Sequence, residues 1–185
     1  MSRLMEMAGD KVHSRDISIS TYPADNDCVV VEGVLLEKRL KEYYLLTGEK
    51  KPANVLHHMV LRMLLEGPTL IIREVEVEMP GVPRDACLEM RESLAPIVGL
   101  SITSGFTGTV RRLVGGVKGC FHLTSLLLAM APAAVQGYWS NRASKPTFGE
   151  SKSPERLKQL PLNTCYVWRE DGPLVEKIKK EFDLL

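Results

Sequence analysis

The sequence predicts an α+β fold, with an antiparallel sheet of about four strands and two main helices packed on one face. Three observations lead there. Alternating Val- and Ile-rich segments occupy the first half of the chain, helical spacing of apolar residues is confined to the later part, and short turn-forming stretches separate the strand-like runs.

The segment DISISTY (16–22) sets Ile17, Ile19 and Thr21 against serines, the period of a half-buried strand. A turn through PADND leads to CVVVEGVLLEKRL (28–40), which reads as its antiparallel neighbour. Gly33 within it marks a bulge or a close backbone approach. KEYYLLTGEKKPANV is a linking region with TGEKKP exposed. VLHHMVLRMLLEG (55–67) has the leucines and methionines of a helix. Its short distance from PTLIIREVEVEM nevertheless favours a third and a fourth strand meeting at Glu66–Gly67–Pro68. In the fourth, Ile71, Val75, Val77 and Met79 share one face, and Glu74, Glu76 and Glu78 share the other.

Pro83 can begin a helix through RDACLEMRESLAPIVG, where Cys87, Met90, Leu94 and Ile97 recur at helical spacing until Pro96 ends or kinks it. GLSITSGFTGTVRRLVGG is turn-rich, with a short helix around Val110–Val114. A second main helix runs from His122 to about Gln136, with Leu123, Leu127, Met130 and Ala134 on one stripe and a kink expected at Pro132. These elements form a core domain over residues 12–140. A polar, proline-punctuated linker follows over 141–160, and a C-terminal segment, 161–185, is expected to pack back on the core through a short helix bearing Leu174, Ile178 and Phe182.

Composition narrows the function. The chain has 24 basic and 23 acidic residues and no long block of either sign, which speaks against nucleic acid as a partner. The longest apolar stretch, around LTSLLLAMAPAAV, falls short of the roughly 20 residues that span a bilayer, so no membrane partner is expected. The N-terminal residues lack the pattern of a signal peptide, and the expected location is cytoplasmic. Four widely spaced cysteines then read as thiols or ligands rather than as a disulfide framework.

Chemistry is sought first at GGVKGCFHLT (115–124), where glycines allow close backbone approach and Cys120 and His122 stand at the start of a helix. Thiolate and imidazole suit zinc or iron, and folding could bring Cys87 and Cys165 toward them. A metal or iron–sulfur site made of Cys87, Cys120, His122 and Cys165 is the leading expectation. Their separations match no short zinc or ferredoxin spacing. Two alternatives stand beside it. One is an interaction or structural module with buried cysteines and an unidentified protein partner. The other is an enzyme with Cys120 as nucleophile and His58, in preference to His57, as base, since adjacent strand residues point to opposite faces. Weaker candidates are Arg111 with Arg112 as an anion clamp, the glutamate row of the fourth strand, and His13 with Arg15 before the first strand.

The segments HSRDISISTY, VVVEGVLLEKR, GLSITSGFTGTVRRLVGGVKGCFHLTSLL and NTCYVWREDG together resemble an uncharacterised bacterial family, DUF2889. The likeness covers about residues 12–175, and Cys87, Cys120, His122 and Cys165 fit its pattern. Phe121 stands where the family has a threonine, the segment near Ser125 lacks the family's acidic residue, and His58 replaces an aspartate. The resemblance implies no activity. A looser likeness of layout to iron–sulfur scaffold proteins transfers no function.

Overall fold

The computed structural model describes residues 2–103, 105–145 and 162–181. The chain divides into two compact units, Met1–Trp139 and Ser140–Leu185. In the first, strands β1 (His13–Pro23), β2 (Cys28–Arg39), β5 (Asn54–Glu66) and β6 (Ile71–Gly81) form one antiparallel sheet in the order β1-β2-β5-β6. A small hairpin of β3 (Tyr43–Tyr44) and β4 (Lys50–Lys51) bridges β2 and β5. The expected four-stranded antiparallel sheet is therefore present, and the ambiguous segment at 55–67 is a strand.

The register follows burial. On β2, Val29, Val31 and Leu35 are buried in alternation, and on β5 so are Met59, Leu61, Met63 and Leu65. A one-residue slip of either strand would turn this whole set to solvent. The opposite face carries the charge: Arg62 pairs with Glu32, Glu76 and Glu78, which accounts for most of the glutamate row as ion pairing on the face away from the core.

Helical segments are more numerous than the two main and two short helices expected. The described residues include α1 (Arg3–Glu6), α2 (Phe106–Val114), α3 (Phe121–Ala143), α4 (Pro173–Glu181) and 3₁₀ runs at Asp85–Ile97 and Gly116–Lys118. The predicted helix after Pro83 is thus a 3₁₀ run, with Leu94 and Ile97, one tight turn apart, as its buried residues. Helix α3 continues through Pro132 and carries eight buried residues, among them Leu123, Leu127, Met130 and Ala134. These join Val31, Leu35, Met59, Leu61, Phe106 and Val110 in one apolar cluster, so the helical layer lies against the inner face of the sheet. Among the described residues no helix is long and apolar enough to cross a membrane. The linker expected at 141–160 falls largely outside the described residues, as does Phe182 of the C-terminal apolar stripe.

Glycines allow α3 to approach the sheet closely. A side chain at Gly33 would run into Met130, which makes this glycine a close-approach position, while the break in strand register lies elsewhere, at Glu37/Lys38. A side chain at Gly137 would overlap Thr21 of β1. An alanine ordinarily stabilises a helix interior by about 1 kcal/mol relative to glycine, whereas overpacking costs about 1–3 kcal/mol. Gly137→Ala is accordingly expected to lower stability in urea unfolding, and Thr21→Ala in the same chain to recover part of the loss. A stabilised Gly137→Ala protein would show that this contact is not tight.

Candidate metal centre

Glu37 occupies a position that its strand reserves for apolar side chains. It follows Val29, Val31 and Leu35 in phase on the inner face of β2 and is only 5% exposed. Leaving a carboxylate there unpaired would be costly, and the neighbouring strands supply its partners. In the sheet register Arg15 of β1 and His57 of β5 stand directly across from Glu37, one on each side. His13, two residues before Arg15, shares that face of β1.

The two carboxylate oxygens are used differently. Oε1 accepts from Arg15 Nε at 2.9 Å and Arg15 Nη2 at 2.7 Å, and lies 3.0 Å from His13 Nε2. Oε2 lies 2.6 Å from His57 Nδ1 and 3.4 Å from His122 Nε2. His122 comes from the helical layer as the second residue of α3, and its ring stacks on that of His57 with centroids 3.6 Å apart and planes 28° apart. Glu37, His57 and His122 thus each offer a ligand atom, and these atoms all lie within 4.8 Å of one another.

The glycine-rich junction sets the position of His122. Gly119 passes so close to the Val114 carbonyl at the end of α2 that a Cβ would stand 2.5 Å from it. Cys120 then caps α3, its carbonyl accepting from Thr124 N at 2.9 Å, while the Thr124 hydroxyl donates to the Val114 carbonyl at 3.3 Å. The Cys120 thiol lies 3.9 Å from Nδ1 of His122 and so faces the ring edge away from Glu37.

Electrostatics follow from this packing. Burial pushes the Glu37 carboxyl upward, but hydrogen bonds from Arg15 and His57, the Arg15 charge and a hydrogen bond from His13 together hold it below its ordinary value. His122 is held below its ordinary value by burial first, then by His57 beside it and by Arg15, against the opposing pull of Glu37. Its imidazole is therefore neutral at neutral pH, the form that binds metal ions.

The four-residue site expected from Cys87, Cys120, His122 and Cys165 does not form. Among the described residues, the only group of three or more His, Cys, Asp or Glu side chains with converging ligand atoms is Glu37, His57 and His122. All four cysteines are free: Cys28, Cys87 and Cys120 are partly buried and Cys165 is exposed. Cys87 and Cys120 pack against the apolar cluster, as small hydrophobes do, and Cys165 belongs to the other unit of the chain. Of the expected ligands only His122 takes part. The preference for His58 over His57 also fails, because His57, in phase with Met59 and Leu61, is the inward member of the pair. Glu37 went unnoticed although a signal was present, a carboxylate in phase with the apolar face of β2. Arg111 and Arg112 lie exposed on α2, where Arg112 donates to Thr109.

Residues 13–136 match the family described as protein of unknown function (DUF2889), and the chain belongs to that family. The matched region contains Glu37, His57 and His122 together with His13 and Arg15, and it excludes Cys165. No curated protein and no solved structure matches the sequence.

The two shifted groups give stability a defined pH dependence. Each has a folded pKa below its unfolded one, so the unfolded chain binds more protons and stability falls as pH falls. The loss from His122 begins below its ordinary value of 6.5, and that from Glu37 below 4.5. Thermal unfolding across this range is expected to show both limbs, with His122→Ala removing the upper one. At pH 7, Glu37→Leu leaves Arg15 without its buried partner and is expected to cost about 2–4 kcal/mol. Stability independent of pH between 7 and 4 would contradict the charge assignment.

Proposed function

We propose that this DUF2889 member is a metal-binding protein whose ion is held by Glu37 Oε2, His57 Nδ1 and His122 Nε2. The observation that carries the reading is that Glu37, His57 and His122 bring one ligand atom each to within 4.8 Å of the others where α3 meets the sheet. Two imidazoles and one carboxylate form a donor set used for zinc and for ferrous iron, and we take zinc as the ion. The cluster contains no thiolate, the ligand on which iron–sulfur clusters chiefly depend.

Geometry supports the reading with one adjustment. Ligands about 2.0–2.1 Å from a tetrahedral ion lie roughly 3.3 Å from one another. The 3.4 Å between Glu37 Oε2 and His122 Nε2 meets this spacing. For one ion to take all three, the 2.6 Å contact between Glu37 and His57 has to open and the stacked rings have to fan apart. Histidine and carboxylate bind a metal ion only when deprotonated, so acid competes with the metal.

Three protein ligands rather than four are characteristic of centres that act on a further ligand. A cytoplasmic location accords with the four free thiols. Purified without chelator or metal-binding tag, the protein is expected to bind about one zinc ion per chain, with affinity falling at least about 100-fold in His57→Ala and in His122→Ala. Cys87→Ser and Cys165→Ser should leave that affinity unchanged, whereas zinc lost with either cysteine and kept in the histidine variants would contradict the ligand assignment.

A further inference from the structure

Resting on the metal reading above, we infer that the centre keeps one coordination position open for a small anionic ligand, and that Arg15 and His13 are the positioning residues that keep it open. The carboxylate of Glu37 has two oxygens, and a free carboxylate can chelate an ion with both. Here Oε1 is already saturated by Arg15 Nε, Arg15 Nη2 and His13 Nε2, at 2.9, 2.7 and 3.0 Å. Only Oε2 faces the two imidazoles. Glu37 therefore coordinates through one oxygen, and a three-ligand centre with a single-oxygen carboxylate leaves a position for a ligand from solution.

Charge decides what that ligand is. A divalent ion, the Glu37 carboxylate, two neutral imidazoles and the Arg15 guanidinium together carry two excess positive charges beside a carboxylate that is 5% exposed. Among the described residues, Glu37 is also the only carboxylate paired with His13, Arg15, His57 or His122. Uncompensated charge in such surroundings is unfavourable, and an anion in the open position offsets it. The cationic flank is open to solvent on the β1 side, where the Arg15 side chain is 30% and that of His13 46% exposed. Hydroxide, or a substrate bearing a carboxylate or phosphate group, meets these requirements.

The test is an azide titration of the full chain loaded with cobalt(II), at fixed ionic strength and pH, read in the visible absorption of the metal. Azide is expected to shift the spectrum saturably. In Arg15→Gln its affinity should fall at least about tenfold with cobalt still bound, and Arg15→Lys should retain most of it. If cobalt binds stoichiometrically and is lost in His122→Ala, yet azide leaves the wild-type spectrum unchanged, the open position is overturned while the metal centre stands. Equal azide affinity in Arg15→Gln would overturn the role of Arg15. Failure of the wild-type chain to bind either cobalt or zinc would overturn the metal reading itself.

Discussion

A carboxylate buried in the apolar phase of a strand is stable only where cations and hydrogen-bond donors meet it, and Glu37 imposes that condition on the elements around it. Arg15 and His57 can serve because they stand directly across from it in the two neighbouring strands. Slipping β1 or β5 by one residue would carry that strand's partner to the far face and remove its share of the pairing. The same register sends Met59, Leu61, Met63 and Leu65 into the core, so apolar burial and charge pairing select one arrangement. Agreement between these two levels is what makes a sequence specify a single structure.

The helical layer is tied to this point through His122. Helix α3 packs on the sheet along most of its length, and its first turn delivers an imidazole to the oxygen of Glu37 that Arg15 and His13 leave free. The division of labour between the carboxylate oxygens is the feature on which the proposed metal site rests. One oxygen is fixed by the sheet, and the other meets two imidazoles from two different layers. Centres held in this way on regular secondary structure keep their geometry better than centres placed on loops.

Much of the fold was legible in the sequence because period-two alternation is strongly written on β2 and on Val75–Met79 of β6, and short turns leave little choice but antiparallel neighbours; β1 alternates in sequence but buries none of its residues. The 3₁₀ form of Asp85–Ile97 was not legible, since Cys87, Met90, Leu94 and Ile97 fit an α-helical stripe equally well. For the site, the glycine-rich junction pointed to His122, which belongs to the candidate group with Glu37 and His57. The ligand chemistry of cysteine pointed to companions that do not join it, because thiols serve as core residues as readily as ligands. Glu37 and His57 could have been found by phase alone, as polar residues at positions where β2 and β5 otherwise bury Val, Leu and Met. What the sequence could not supply was the register that sets Arg15, Glu37 and His57 in one row.

The most direct measurement of the central claim is X-ray absorption at the zinc edge of the metal-loaded full chain, which reports the donor atoms irrespective of any activity. The account predicts a shell of nitrogen and oxygen donors at about 2.0–2.1 Å, with the outer-shell scattering of two imidazoles and no sulfur. A sulfur shell at about 2.3 Å would contradict it, because that distance belongs to a thiolate and Glu37, His57 and His122 contain none.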